Sequence, residues 1–342
     1  MTSSIEVPRR AHGRTTKVTR PHGMPYSSCD FRTCRSRFAA VSIVAERHRP
    51  LTDRRLGHRL LLCVQEARPL VQAAFVLRFA LGALCTLGSG RAPGLTVLAG
   101  AAAWWAATTC AYLFNGLMDL PEDRANGSSR PLAGGRLDVR TARAGVVALA
   151  VTALALSLFA PRTTGCVLVF LVLGYLYSAP RGAAKLRAWS ASCVTTAATF
   201  ATYLGGALST GRTPSATALL FGAVMSLWVG LIGAVAKDLG STGGDALAGR
   251  RTLAVVRGEA ATRTFCALAA LCLAQFSLLG APWTTTPVPL TTGALALAVG
   301  ATLLTARCLA PRTVAPRSPY RVAMATQYGV HLATAAALLL GM

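Results

Sequence analysis

The sequence predicts an all-α, polytopic membrane protein with about nine transmembrane helices. Three observations predict it. Hydrophobic residues make up 53% of the 342 residues and charged residues only 14%, with a mean hydropathy of +0.48. That balance excludes an ordinary soluble globular domain. Apolar runs of about 17–23 residues recur from Pro69 onward, the length a helix needs to cross hydrocarbon. The joins between runs alternate between basic and nearly uncharged, as loops on opposite faces of a membrane do.

Residues 1–65 read as a basic, disordered cytoplasmic extension, rich in Arg with several Pro and Ser. This stretch has no continuous apolar run, so it is not a secretory signal, and no such run follows Arg9-Arg10. A short amphipathic helix near Arg54–Glu66 is suited to the membrane surface. Residues 66–342 then form the membrane domain. Its spans are expected at about 69–88, 93–113, 142–160, 164–179, 189–209, 215–236, 262–281, 287–307 and 322–341. Joins after the second, fourth, sixth and eighth spans are long or basic, holding among others Arg124, Arg130, Arg181, Lys185, Lys237, Arg250, Arg312 and Arg317. The alternate joins hold only Arg91, Arg162 and Arg212. The positive-inside rule makes the first set cytoplasmic, the N-terminus internal and the C-terminus external.

The net charge of +23 could suggest nucleic acid. The cations sit in the extension and one set of loops, without a basic stripe interleaved with stacking aromatics, so no nucleic-acid partner is expected. Anionic membrane lipid is the expected partner of such charge, and no obligate protein partner is inferred. Most of the ten Cys fall inside apolar runs and read as free structural thiols. Cys29 and Cys34 lack C-x-x-C spacing, so no zinc site is expected. The high Ala, Arg, Gly and Leu content suggests a GC-rich bacterial source, hence a bacterial plasma membrane.

Of twelve acidic residues only seven follow Pro69, and five of those form two clusters. The first is Asn115-Gly-Leu-Met-Asp119-Leu-Pro-Glu122-Asp123. The second is Lys237-Asp238-Leu-Gly-Ser241-Thr-Gly-Gly-Asp245. An ionised carboxylate at the edge of hydrocarbon is costly without a partner, so a chain that avoids acids and then repeats such a cluster points to use. Asn115, Asp119 and Asp123 are spaced i, i+4, i+8, one face of a helix. Pro121 is placed to bend or end that helix. Asp238 and Asp245, seven apart, also suit one face, although Gly240, Gly243 and Gly244 favour a loop. Hard oxygen donors of this kind suit Mg2+ shared with a phosphate-bearing substrate. The plain alternative is a solvated acidic loop. Arg130 and Lys185 follow in settings suited to neutralising a diphosphate, where the plain alternative is a topology-setting charge.

These residues, taken in order, resemble a family. Asn115-x-x-x-Asp119-x-x-x-Asp123, Arg130-Pro-Leu-x-x-Gly, Tyr177-Ser-x-Pro180 with Lys185, and Asp238…Gly244-Asp245-x-x-x-Gly249-x-x-Thr252 are similar to the motifs of the UbiA superfamily of intramembrane prenyltransferases. Arg68-Pro69 fits as well, and the resemblance spans about residues 66–341. It implies nine helices around a central, lipid-accessible cavity under a cap of cytoplasmic loops. It implies Mg2+ held by Asn115, Asp119, Asp123, Asp238 and Asp245, with a diphosphate met by Asn115, Arg130, Lys185 and Tyr177. The implied reaction moves a prenyl group from its diphosphate to a lipophilic or aromatic acceptor, with Asp119, Asp123, Asp238 and Asp245 catalytic. A terpene cyclase of the same superfamily, or a non-catalytic isoprenoid-binding protein, is the alternative. Two positions depart from the motifs. Ser241 stands where the second motif usually starts with Asp, with Asp238 expected to substitute, and Gly116 replaces a frequent polar residue.

Overall fold

The computed structural model describes residues 56–88, 94–310 and 317–342. The expected disordered extension, with Cys29 and Cys34, and the loop cations Arg91 and Arg312 lie outside the described residues. Eleven helices follow one another among the described residues. They are α1 (Leu56–Glu66), α2 (Pro69–Leu87), α3 (Leu95–Ala125), α4 (Val139–Ser157), α5 (Thr164–Ser178) and α6 (Ala188–Ser209). After these come α7 (Ala216–Ala236), α8 (Thr242–Leu247), α9 (Leu253–Gly280), α10 (Pro287–Leu309) and α11 (Ser318–Leu339). The described residues contain no strand, only an isolated parallel bridge between Arg187 and Arg251.

A helix occupies each of the nine expected spans, and seven of them are long and apolar enough to cross a membrane: α2, α3, α4, α7, α9, α10 and α11. The chain is an integral membrane protein. The other two differ for visible reasons. α5 has only 15 residues. α6 has 22 but carries a hydroxyl-rich run that includes Thr195, Thr196, Thr199 and Thr202. Two helices overrun their expected bounds. α3 continues past the apolar run to Ala125 with Pro121 inside it, so the first acidic cluster is helical rather than a loop. The missing N–H of Pro121 frees the Leu117 carbonyl close to the helix end, where the loss is small. α9 begins at Leu253 and turns sharply at Gly258, whose φ is 83°, a left-handed value that glycine reaches without a Cβ penalty.

Helix packing rests on small residues as much as on large ones. α2 and α6 cross so closely that a Cβ on Gly82 would overlap the Tyr203 carbonyl, and one on Gly206 the Phe79 carbonyl. Hydrocarbon gives no solvent-driven reason for helices to associate, so close backbone approach supplies the dispersion contacts instead. Beside this crossing Trp104 is fully buried, its ring 5.7 Å from Phe79 and 5.2 Å from Phe170. A second core joins α6, α7, α9, α10 and α11 around Trp228, Phe221 and Leu297. The outer faces present apolar side chains such as Val147, Val151, Val169, Val172, Leu268 and Leu271, as a lipid-facing surface requires. Residues Trp228–Gly233 form a π-helical turn within α7, and Val229 and Gly233 from it line a cavity between the helices. Such turns are frequent at functional sites.

The crossing gives a clear expectation. Gly206→Ala should cost about 1–3 kcal/mol by overpacking, read as a lower unfolding midpoint in detergent. Gly165→Ala, with nothing within 4 Å of its Cβ position, should leave the midpoint unchanged.

Candidate active site

α3 reaches the rim of the bundle carrying Tyr112, Asn115, Asp119, Glu122 and Asp123 on one face, and all five line a cavity of about 490 Å³. α5 contributes Tyr177, the following join Lys185, and the α7 end Lys237 and Asp238. Arg250 lines it from the segment after α8. The joins after α3, α5 and α7 therefore meet at one end of the bundle. Backbone hydrogen bonds tie two of them directly: Arg251 N–H donates to Leu186 O at 2.8 Å and Ala188 N–H to Arg251 O at 3.0 Å.

Every carboxylate of the first cluster has a cationic partner. Asp119 pairs with Lys185 and accepts from Asn115 Nδ2 at 3.2 Å. Arg250 Nη2 lies 2.7 and 2.6 Å from the two oxygens of Glu122. Arg130 Nη1 lies 2.6 Å from Asp123 Oδ2. These pairs explain how so many charges persist beside hydrocarbon, since an unpaired buried ion is strongly destabilising.

The second cluster is arranged differently. Ser241 precedes the short helix α8, and its hydroxyl donates to Asp245 Oδ2 at 2.8 Å. Arg250 Nη1 lies 3.6 Å from the other Asp245 oxygen. Asp245 is buried but does not line the cavity, whereas Asp238 does. Burial pushes the Asp238 carboxyl up to about 6, with Asp245 adding to the rise and Lys237 and Arg250 opposing it. Lys237 Nζ donates to the Tyr177 hydroxyl at 3.2 Å.

Among the described residues no three His, Cys, Asp or Glu side chains gather into a metal site by themselves. The donor set nevertheless fits Mg2+, which characteristically takes one or two carboxylates together with substrate phosphate oxygens and water. Asn115 Oδ1 is buried without a hydrogen-bond partner beside Asp119, an oxygen free to serve a cation.

Of the residues expected from the sequence, Asn115, Asp119, Asp123, Asp238, Tyr177 and Lys185 line this one cavity. Arg130 and Asp245 stand behind it, reaching it through Asp123 and Arg250. Sequence reasoning gave no individual role to Glu122, Lys237 or Arg250. Glu122 stands one turn from Asp119, and Arg250 directly follows Gly249 of the motif, so their positions held the signal.

Glu66 was also missed. It ends α1, is fully buried, and its Oε1 lies 2.7 Å from Arg130 Nη2. Its other oxygen accepts from Leu132 N–H at 2.9 Å, and Arg130 Nη2 reaches Glu66 O at 3.0 Å. Arg130 is thus clamped between Glu66 and Asp123. The clamp explains Gly116: a Cβ there would overlap Glu66 Oε1 and come within 2.9 Å of Arg130 Nη2. A count of acids that begins at Pro69 passes over Glu66 by three residues.

Glu66→Ala should destabilise the protein by about 1–3 kcal/mol, by removing one of the two carboxylates that clamp Arg130 and leaving the buried Leu132 N–H without its acceptor, read by denaturant unfolding in detergent. Gly116→Asp should be similarly harmful through overlap and like charge. The double variant should recover much of the loss, because the new carboxylate enters the space that Glu66 leaves beside Arg130. A double variant as unstable as the sum of both would show that the space and charge are not exchangeable.

The sequence model of the UbiA prenyltransferase family matches residues 76–326, and no curated protein sequence matches the chain. The fold is similar to that of a UbiA homologue from Archaeoglobus fulgidus bound to GPP and Mg2+, with a TM-score of 0.64 and 16% identity over 81% of this chain and 99% of that one. It is also similar to the apo structure of a UbiA homologue from Aeropyrum pernix K1, with a TM-score of 0.63 and 19% identity over 78% of this chain and 97% of that one. A digeranylgeranylglyceryl phosphate synthase gives a TM-score of 0.62 and 17% identity over 82% and 99% of the two chains. At such identities the likeness speaks for the fold, and the sequence match over most of the chain speaks for descent: the protein belongs to the UbiA prenyltransferase family.

Proposed function

We propose that this chain transfers a prenyl group from a prenyl diphosphate to a lipophilic or aromatic acceptor within the membrane. The observation that carries this reading is one cavity that combines the Asn115, Asp119 and Asp123 face, Asp238, and the cations Lys185 and Arg250 with walls of apolar and aromatic side chains. Homologues of similar fold are bound to GPP or DMAPP with Mg2+, which supports the assignment of donor and cofactor.

In this mechanism Asn115, Asp119, Asp123 and Asp238 hold Mg2+, with Asp245 acting from behind through Arg250. Bound there, Mg2+ supplies Lewis-acid neutralisation of the diphosphate. Lys185 and Arg250 offer phosphate oxygens their N–H groups, and Arg130 fixes the Asp123 carboxylate. Tyr177, held by Lys237, lines the diphosphate end. The bond between the allylic carbon and the diphosphate oxygen breaks, and its electron pair leaves with the diphosphate. The carbocation is captured by a carbon or oxygen of the acceptor, which then releases a proton. The apolar cavity excludes water that would quench the cation. The ion pairs of the first cluster keep both halves of the diphosphate site together, carboxylates for the metal and cations for phosphate.

We also place the joins after α3, α5 and α7 on the cytoplasmic face, with an internal N-terminus and an external C-terminus in a bacterial plasma membrane. The support is the excess of cations in those joins. Residues 1–55 lie outside the proposed machinery, whereas α1 belongs to it through Glu66.

Asp119→Ala and Asp123→Ala should each lower diphosphate release from a panel of prenyl diphosphates by about 10²-fold or more, the scale of a lost electrostatic stabiliser. EDTA should do the same. Full activity in EDTA would sink the metal assignment, and an acceptor-independent hydrocarbon product would mean cyclisation rather than transfer.

The two acids of the second cluster should separate. Asp238→Asn should raise the Mg2+ concentration needed for half-maximal rate, because Asp238 faces the cavity. Asp245→Asn should act mainly on KM for the diphosphate, because it weakens one of the two contacts that orient Arg250, the other being to Glu122. Equal and purely Mg2+-dependent effects would make Asp245 a direct ligand, and parental behaviour in both would remove the second cluster from the mechanism.

A further inference from the structure

Two buried arginines, Arg78 and Arg263, take part in no ion pair among the described residues. Arg78 lines the active-site cavity. Arg263 does not. It lies on α9, five residues past the turn at Gly258, and its Nη1 lies 3.4 Å from the carbonyl oxygen of Arg307, in the last turn of α10. Arg263 is only 8% exposed, and its Nε is buried without a partner. Its guanidinium thus has one neutral contact, at a helix end whose dipole carries about half an elementary charge. A cation at the edge of hydrocarbon with no fuller partner is costly.

The surroundings add charge of the same sign. From Arg257 to Arg321 the sequence holds six arginines, Arg257, Arg263, Arg307, Arg312, Arg317 and Arg321, and one acid, Glu259. Glu259 is engaged elsewhere, accepting from Gly240 N–H at 3.2 Å. Arg257, Arg307, Arg317 and Arg321 are exposed and form no ion pair among the described residues. On the catalytic side Arg130, Lys185 and Arg250 each meet a carboxylate. At the ends of α9 and α10 the described residues supply no such counter-charge, so it comes from outside the protein.

We propose that Arg263 and Arg307 form a binding site for the phosphate of an anionic phospholipid, seated between the start of α9 and the end of α10. The two residues stand near the first and at the last positions of the apolar runs expected at 262–281 and 287–307, where hydrocarbon gives way to headgroups. The guanidinium fork suits phosphate oxygens, and Nη2 is the edge of Arg263 left for them. Leu268 on α9 and Leu303 on α10 are exposed about one turn deeper, where acyl chains run. Basic pockets between membrane helices hold anionic headgroups in this way. The inference stands independently of the prenyl-transfer reading.

The test is native mass spectrometry of the full chain in detergent. It is titrated with anionic dioleoylphosphatidylglycerol, zwitterionic dioleoylphosphatidylcholine and inorganic phosphate. The parent should bind the first phosphatidylglycerol about tenfold or more tightly than phosphatidylcholine, the scale of a charge-assisted contact. Arg263→Met should bring the two lipids level, and Arg263→Lys should keep part of the preference. Arg143→Gln removes an exposed cation on α4 and should leave the preference unchanged, which separates a site from the general attraction of a basic surface. Unfolding midpoints show which variants are folded. If Arg263→Met does not fold, Arg307→Gln decides, because that side chain is exposed and its loss should lower the preference by itself. Equal binding of the two lipids to the parent, an undiminished preference in folded Arg263→Met, or an equal loss in Arg143→Gln overturns the proposal. Displacement of phosphatidylglycerol by inorganic phosphate would mean a soluble-phosphate site and overturns the lipid as occupant.

Discussion

The pairing of charges at the edge of hydrocarbon is the constraint from which the rest of this structure follows. Four carboxylates, Glu66, Asp119, Glu122 and Asp123, stand at or beside the rim, and each has Arg or Lys as partner. Only the Asp123–Arg130 pair is local, seven residues apart. Lys185 comes from the join after α5, Arg250 from the segment after α8, and Glu66 from α1. Satisfying the acids of one helix end therefore draws together four distant stretches of chain. The loops are positioned by electrostatics in a setting where hydrophobic burial discriminates poorly, since lipid is as apolar as the protein's own interior.

This also explains what the sequence could reveal. The helices were legible because hydrocarbon thickness imposes their length, and the first cluster because its i, i+4, i+8 spacing is a property of one helix. α5 and α6 fell short of the apolarity of the other spans because α5 is short and α6 is rich in Thr that line or face the cavity, as Thr195 and Thr199 do. The continuation of α3 to Ala125 was obscured by Pro121, whose cost is small near a helix end. The clamp on Arg130 was out of reach, because the pair of Glu66 and Arg130 is separated by 64 residues and leaves no periodic trace. Gly116 was its one visible mark, a missing side chain whose reason is steric and lies on another helix.

The two acidic clusters look alike in sequence and differ in space. The first presents its acids directly to the cavity. In the second, a helix of only six residues, α8, turns Asp245 inward to Ser241 and Arg250 and leaves Asp238 on the wall. Ser241 thus has a positive structural role as a donor to Asp245, where a carboxylate would face another carboxylate with a like charge. A Ser at this position and an Asp245 turned away from the cavity are mutually consistent, and a resemblance read position by position has no access to that coupling.

Tyr203 links the packing of the membrane core to the deeper end of the cavity. Its carbonyl occupies the space left by Gly82, which sets how closely α2 and α6 approach, while its hydroxyl meets His331. Arg78 and Gly82 are four residues apart on α2, so the contact that locks the helix crossing lies one turn from the guanidinium. Rotation of α2 about its axis would break the backbone contact at Gly82 and turn Arg78 away from the cavity in the same motion. The small-residue crossing therefore does more than fill space: it fixes the direction of a charge that the membrane would otherwise drive toward the interface.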